Sequence, residues 1–161
     1  MPSQRKKRTL IILFFCVLLL VPVGLLFSTP GRLLLLDWNQ AQWQRQDFRH
    51  YRYTFKNVSF ANANNIYDVV IEVKDDQTVS MTKKSDGTPV AMALFQDYNT
   101  IPKIFQRLHT MVEHDPFTCI IRYQFQIGIP ISADIDFSPR TTDDEYYLTL
   151  TDFEVLSEPK Q

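Results

Sequence analysis

Acidic residues near the C-terminus form the group of side chains with the clearest capacity for chemistry. Asp134, Asp136 and Glu145 fall at positions 1, 3 and 12 of a twelve-residue stretch, the spacing of carboxylate ligands in an EF-hand calcium loop. However, Pro139 stands at position 6, where that loop needs glycine, and the flanking residues alternate as strands do. Paired carboxylates could also act as general acid and base if burial raised the pKa of one of them. We expect instead that these acids are solvated on a hairpin and hold no metal.

A second group lies at the end of a predicted helix. His109 and Glu113 are one helical turn apart, and His114 and Asp115 follow directly. Zinc sites use three or four well-placed groups, and two ligands with a neighbour fall short of that number. We therefore expect a surface helix end here rather than a metal site.

Nucleophilic and cofactor chemistry find little support in the residue types present. Cys119 falls on the inward face of a predicted strand, where a cysteine is usually inert core. The chain has no Gly-x-Ser-x-Gly elbow, and its 4 glycines almost exclude a phosphate-binding loop. The 2 cysteines cannot build a disulfide framework. We expect no enzyme activity and no cofactor.

Length and charge limit the classes of protein that remain. With 161 residues the chain holds one ordinary domain, and 45% hydrophobic with 22% charged residues is normal for a globular protein. The 17 basic and 18 acidic residues give a net charge of -1. Nucleic-acid binders are normally basic, so this near balance argues against a nucleic-acid partner.

The N-terminus reads as a membrane anchor. Residues 5–8 are all basic, and every residue of 10–27 is apolar, counting one proline and one glycine. About 18 apolar residues are the lower range for a helix that crosses a bilayer. A cleaved signal peptide is the rival interpretation, but its apolar core is usually shorter, about 7–15 residues, and Phe27-Ser28-Thr29-Pro30 is a poor cleavage site. We predict a transmembrane signal anchor over residues 10–28, with the bilayer as its partner.

The anchor implies an arrangement for the rest of the chain. The positive-inside rule places residues 1–9 in the cytoplasm, and the single-pass protein then exposes its body to the periplasm or extracellular space. Residues 29–48 are predicted as a juxtamembrane amphipathic helix and 49–157 as an extracytoplasmic domain, with a tail at 158–161. Within the helix we expect Trp43 to pack on the domain, because it is farther from the bilayer than Trp38.

The body alternates as an α+β domain. Six segments carry the period-two pattern of strands: 51–56, 67–74, 78–81, 117–125, 131–137 and 146–155. Asp75-Asp76 is expected to form a tight turn, and a phase shift near Thr151-Asp152 predicts a bulge. Residues 90–95 are ambiguous. Thr100 and Pro102 open a helix with one apolar stripe, which Asp115-Pro116 ends. We predict a twisted antiparallel sheet of about six strands with helix packed on one face.

Several short motifs occur in an order typical of one family. They are Trp43, Tyr51-Arg52-Tyr53, a Val-rich hairpin, Thr100-Ile101 with Phe105, Tyr123, Gly128-Ile129-Pro130, and Asp143-Asp144-Glu145-Tyr146 before a strand that ends at Phe153. In these motifs the chain resembles the DUF-6174 family of small exported bacterial domains of unknown function, over about Trp43 to Val155. The resemblance implies an envelope location, often by lipid anchor, and an α+β fold. It implies no reaction. The chain lacks a lipid-attachment cysteine and a glycine in the Asp75-Asp76 turn.

These observations lead to one main hypothesis for function. We expect a membrane-anchored binding or interaction module of a bacterial cell envelope, without catalysis, whose partner is an envelope protein or a peptide. An envelope hydrolase or a calcium-binding domain that uses Asp134, Asp136 and Glu145 is the first alternative, and a structural subunit of a membrane complex is the second. Acids that converge in a cleft would favour the enzyme, whereas acids spread on an open hairpin would favour the module.

Overall fold

The fold is a single antiparallel sheet with two helices. The computed structural model describes residues 28–59, 68–141 and 144–156. The elements are α1 (Thr29–Gln44), β1 (His50–Ser59), β2 (Val69–Lys74), β3 (Gln77–Lys83), a 3-10 helix (Met92–Phe95), α2 (Ile101–Glu113), β4 (Thr118–Tyr123), β5 (Pro130–Asp136) and β6 (Glu145–Val155). The strand order is β3-β2-β1-β6-β5-β4, and all neighbours are antiparallel. The predicted α+β fold with a six-stranded antiparallel sheet is confirmed.

The predicted transmembrane helix requires correction, and with it the single-pass localisation. Within residues 28–59, 68–141 and 144–156, no helix is long and apolar enough to cross a bilayer. The first helix described there begins at Thr29 and carries polar residues along its second half. Residues 10–27, where the anchor was predicted, lie outside the described residues.

Helix α1 is shorter than the predicted helix over residues 29–48. The Ser28 side chain accepts a hydrogen bond from the Gly31 N–H at 3.4 Å, and Pro30 lies in the first turn. The helix ends at Gln44, because the chain reverses through Asp47, which adopts a φ of 49°. This reversal brings the Phe48 ring to 5.5 Å from the Trp43 ring. Trp43 is buried, so the prediction that it packs on the domain is confirmed.

A tight turn and two bulges determine how β1, β2, β3 and β6 pair. Asp75 and Asp76 have φ values of 48° and 58° and join β2 to β3 directly, which confirms the predicted tight turn. The alternation of residues 78–81 predicts that Val79 and Met81 face inward. A register shift in this hairpin leaves Val79 as an extra residue that is 48% exposed, so the prediction is wrong for Val79. On β6 the register shifts opposite Arg52 and Thr54, and the predicted bulge at Asp152 is confirmed.

The core lies between the helices and one face of the sheet. Six residues of α2 form the predicted apolar stripe, and all are buried: Ile101, Ile104, Phe105, Leu108, Met111 and Val112. The Tyr51 hydroxyl accepts a hydrogen bond from the Ile101 N–H at 3.4 Å, and Tyr53 donates to the Tyr98 carbonyl at 2.8 Å. Strand β1, in the middle of the sheet, therefore positions both the start of α2 and the segment that precedes it.

Candidate functional site

Strand β4 lies at one end of the sheet, and one of its two sides has no neighbouring strand among the described residues. It pairs on one side with β5, from Thr118 opposite Asp136 to Tyr123 opposite Pro130. Within the part of the chain that the structure describes, β4 has no strand on its other side and no backbone hydrogen bond there. An edge strand directs about half of its N–H and C=O groups away from the sheet, where they can pair with another chain. We call this side of β4 the open edge.

Exposed apolar side chains lie at both ends of the open edge. Phe117 precedes β4 and is 64% exposed, and Phe125 follows it and is 73% exposed. The alternation of the sequence predicted both rings on the inward face with Cys119, Ile121 and Tyr123. That prediction is wrong for the two phenylalanines and right for the three residues between them, which are half-buried against the core. Only the middle of the strand is covered, and the rings at its ends stay in contact with solvent.

Helix α1 extends this apolar surface. Leu34 and Trp38 are one helical turn apart and are 69% and 49% exposed. The Trp38 ring centroid lies 6.2 Å from that of Phe125. Trp38 on the helix and Phe125 after the strand are therefore neighbours. A single exposed apolar residue needs no explanation, but adjacent ones can mark an interaction site.

Polar contacts at both ends hold α1 beside β4. Near the start of the strand, Arg32 donates to the Pro116 carbonyl at 3.2 Å. Near its end, the Gln42 side-chain amide donates to the Phe125 carbonyl. A Cβ added at Gly128 would lie 2.3 Å from the α1 carbonyl of Asn39, so the turn between β4 and β5 packs directly on the helix backbone. These contacts position Trp38 and Phe125 relative to each other.

The three acids singled out in the sequence lie on the other face of the sheet from the helices. Asp136 is directly opposite Glu145 across β5 and β6, and Asp134 is opposite Tyr147. The buried neighbours Ala133 and Ile135 alternate with these acids, which places the acids on the polar face. The negative charge of Glu145, followed by that of Asp134, raises the pKa of Tyr147.

The surroundings of these acids are those of a hairpin end. Asp136 accepts a hydrogen bond from the Ser138 N–H at 2.9 Å, which stabilises the turn. No group of three or more His, Cys, Asp or Glu side chains among the described residues could hold a metal ion. Asp143, the first residue of the motif Asp143-Asp144-Glu145-Tyr146, lies outside those residues.

The histidines of α2 engage in contacts within the fold. His109 lies 3.0 Å from the Asp37 carboxylate of α1, and His114 contacts the Thr110 carbonyl at 2.6 Å. Glu113 is exposed and lies on neither contact. The arrangement links the two helices and is that of a helix end.

Tyr146, whose hydroxyl is buried, lines a cleft between α2 and the start of β6. Met111, Phe137 and Tyr146 are among the residues that line its volume of about 380 Å³. The Tyr146 hydroxyl is buried close to Tyr98, and no hydrogen bond of normal geometry joins it to a described residue. Burial raises the pKa of Tyr146 far above its usual range, so this hydroxyl is a neutral group at every physiological pH.

Cys119 on β4 has a free thiol and is half-buried. Burial raises the pKa of its thiol, with a smaller opposing effect of the Arg32 charge. A raised pKa leaves little thiolate at neutral pH, and the thiolate is the reactive form. The position is therefore poorly suited to nucleophilic chemistry.

The open edge was not identified from the sequence. The signal that existed was Ile120, an apolar residue on the polar face of β4, which is 45% exposed. Its neighbour Arg122 is the one charged side chain of the strand. An apolar residue on the solvent face of a strand is informative only once that strand is known to lie at the sheet edge, and strand order is not encoded in local alternation.

Comparison with known families places the chain in a group without an assigned activity. A family model described as a family of unknown function, DUF6174, matches residues 35–155. The chain belongs to this family, and the resemblance expected from its motifs is confirmed, whereas the description of the members as small exported bacterial domains stays a prediction. No protein of curated function and no solved structure matches the chain.

Proposed function

We propose that this member of a family of unknown function is a protein-interaction module that binds an extended segment of a partner along β4 and performs no catalysis. The observation that carries the proposal is the open edge with exposed apolar residues at both of its ends. Strand addition at a sheet edge uses main-chain hydrogen bonds for affinity and side-chain contacts for specificity.

The chemistry of the surface favours an apolar segment. Phe117, Ile120 and Phe125 offer apolar contacts along the strand, and Leu34 and Trp38 continue them onto α1. Natural edge strands that avoid pairing carry charges, proline or a covering segment. Strand β4 carries one charge and has no proline. The backbone N–H and C=O groups of a partner strand would pair with those of β4, and its alternating apolar side chains would pack on the exposed apolar residues.

The positions of the acids support a binding module over a hydrolase. Asp134 and Asp136 alternate with buried residues along β5. They therefore lie on the polar face of the sheet, where water screens their charges. A general acid near neutral pH needs burial or a close like charge that raises its pKa. We therefore retain the interaction module as the function that the geometry supports best.

Photocrosslinking in cells that naturally contain the chain tests the proposal. A photoreactive amino acid is placed at Phe117 or Phe125, and in a control at Leu94, which is 54% exposed near the other edge of the sheet. We expect crosslinks from the first two positions to one defined partner segment, mapped by mass spectrometry, and few from the third.

A matched pair of substitutions completes the test. Ile120→Lys adds a charge to the open edge, and Met92→Lys adds the same charge at a residue of nearly equal exposure, 43% against 45%. Ile120→Lys should lower the crosslink yield at least about tenfold, because an edge lysine opposes strand pairing, whereas Met92→Lys should not change it. Equal yields in the two variants, or crosslinks from Leu94 as strong as those from Phe125, would show that β4 is not the binding site.

A further inference from the structure

We infer that the partner strand is β4 of a second copy of the same chain, an inference that rests on the proposed function. Two copies would pair their open edges antiparallel about a two-fold axis and continue one sheet into the other. Such a contact is isologous, so each copy contributes the same surface. The surface around β4 must then be complementary to itself, and three of its properties meet this condition.

The first property is the position of the apolar residues along the strand. Directly opposite residues of an antiparallel pair lie on the same side of the sheet, so identical strands pair about a single central residue. With Ile121 at the centre, Cys119 lies opposite Tyr123 of the second copy. Phe117 directly precedes β4 and Phe125 lies in the turn that follows it, so the antiparallel arrangement brings the Phe117 end of one copy beside the Phe125 end of the second copy. Both ends of the strand thus find an apolar neighbour.

The second property is charge. Arg122 is the one charged residue within β4. In the register centred on Ile121, Arg122 lies opposite Ile120 of the second copy rather than opposite another arginine. Like charges directly opposite each other would destabilise the pair, and this register avoids them.

The third property is the available area. Trp38, Phe117 and Phe125 are 49%, 64% and 73% exposed. An aromatic side chain can bury roughly 150–250 Å², so the three rings offer on the order of 350 Å² in each copy. Together with Leu34, Leu35 and the strand backbone, the surface approaches the about 800 Å² per partner that stable interfaces bury.

Disulfide trapping in the full chain tests this pairing and its register. The native cysteines are first replaced by Cys16→Ser and Cys119→Ser, and one cysteine is then added at a time along β4. In Ile121→Cys the two new thiols would be directly opposite, with Cα atoms about 4.5–5.5 Å apart, within the range that a disulfide spans. In Ile120→Cys the equivalent atoms would be about 8 Å apart, beyond that range.

The expected result is a covalent dimer under mild oxidation that is most abundant for Ile121→Cys. Val79→Cys, exposed on the opposite edge strand, should give little dimer. The double variant Phe117→Ser with Phe125→Ser should lower the yield of the Ile121→Cys dimer at least about tenfold, whereas Leu94→Ser should leave it unchanged. Circular dichroism of each variant checks that the sheet is formed.

The outcomes separate this inference from the proposed function. A yield that is highest at another position, or equal for Val79→Cys, overturns the pairing about Ile121. If no β4 position forms a dimer while photoreactive residues at Phe117 and Phe125 still label a different protein, the second copy is excluded and the interaction module stands. If neither experiment detects a partner at β4, both proposals are wrong.

Discussion

The two edge strands of the sheet, β3 and β4, are treated differently by the rest of the chain. Residues 88–90 fold back along β3: the Val90 N–H donates to the Met81 carbonyl at 2.9 Å, and the Lys83 N–H donates to the Thr88 carbonyl at 2.8 Å. Thr82 and Pro89 form an isolated bridge in the same place. Among the described residues, nothing comparable lies along β4. Three residues, 88–90, thus cover the edge of β3 from Met81 to Lys83.

The side chains near the two edges also differ: charged residues follow β3, whereas exposed apolar residues flank β4. Strand β3 ends at Lys83, the connection that follows it carries Lys84 and Asp86, and Lys84 lies 2.8 Å from the Asp152 carboxylate of β6. Charges of this kind are a common protection of an edge strand. Strand β4 has apolar residues at its ends instead. The proposed binding role of the open edge rests on this contrast, and the following predictions test the two sides against each other.

The largest expected effect compares two glycines with nearly the same backbone. Gly128 has a φ of 77° in the turn after β4, and Gly87 has a φ of 73° in the loop after β3. A Cβ at Gly128 would lie 2.3 Å from the Asn39 carbonyl of α1, whereas nothing lies within 4 Å at Gly87. We expect Gly128→Ala to lower the free energy of unfolding by about 3–5 kcal/mol through backbone strain and overpacking. Gly87→Ala should cost about 1–2 kcal/mol from strain alone.

Urea denaturation of both variants measures this difference. Equal losses would mean that α1 does not rest on the β4–β5 turn as described. Because the same packing positions Trp38 beside Phe125, Gly128→Ala should also impair crosslinking at the open edge.

The next effect concerns the segment that leads from the covered edge to α2. Tyr53 donates to the Tyr98 carbonyl at 2.8 Å, so Tyr53→Phe removes the hydrogen bond and leaves a carbonyl unpaired. A loss of about 1–3 kcal/mol in unfolding free energy is expected. Tyr146→Phe is the matched control, because its buried hydroxyl has no hydrogen-bond partner of normal geometry among the described residues. Thermal denaturation should show little loss or a small gain for Tyr146→Phe, and a cost as large as that of Tyr53→Phe would contradict the contacts described.

The smallest expected effect is a pH dependence of stability that arises from the ion pair between Lys84, which follows β3, and Asp152. A hydrogen bond from Lys84, with others from Thr54 and Thr151, lowers the pKa of Asp152 from 3.8 to about 2. Because the pKa is lower in the folded than in the unfolded state, the stabilisation is present above about pH 4 and is lost as the pH falls towards 2. Wild type should therefore lose more stability than Asp152→Asn between pH 4 and pH 2, by a small margin, since the pair is exposed.

Lys84→Gln provides the control for that titration. It should weaken the acid dependence in the same direction as Asp152→Asn, and combining the two substitutions should add little. Acid titrations of melting temperature that coincide for all of these variants would show that the ion pair contributes nothing.

Local patterns predicted the elements well but not their relation to solvent. Asp75-Asp76, the Thr100 cap and the bulge at Asp152 each act through neighbouring residues, so short stretches of sequence determine them. The exposure of Phe117 and Phe125 depends on strand order, which arises from contacts between residues far apart in the chain. Alternation assigns a residue to a face, and it does not tell whether another strand covers the end of that face.

The same limit applies to the segment after β3. Residues 90–95 were ambiguous because a 3-10 helix that buries only Phe95 has no periodic pattern over four residues. The contact of the preceding residues 88–90 with β3 becomes apparent only when the sheet is complete. Asp134, Asp136 and Glu145 have the spacing of metal ligands in the sequence. In the fold they lie on two adjacent strands, where the ordinary alternation of each strand accounts for their positions.

Amide hydrogen exchange of the two edge strands in the full chain tests the central claim most directly. In dilute solution the outward amides of β4 should exchange at least about tenfold faster than the Lys83 amide of β3, which donates to the Thr88 carbonyl of the fold-back segment. Raising the protein concentration, or adding the partner segment identified by crosslinking, should slow exchange in β4 and leave β3 unchanged. Amides of β4 that are as protected as those of β3 in dilute solution, or that exchange equally fast under all of these conditions, would contradict the account.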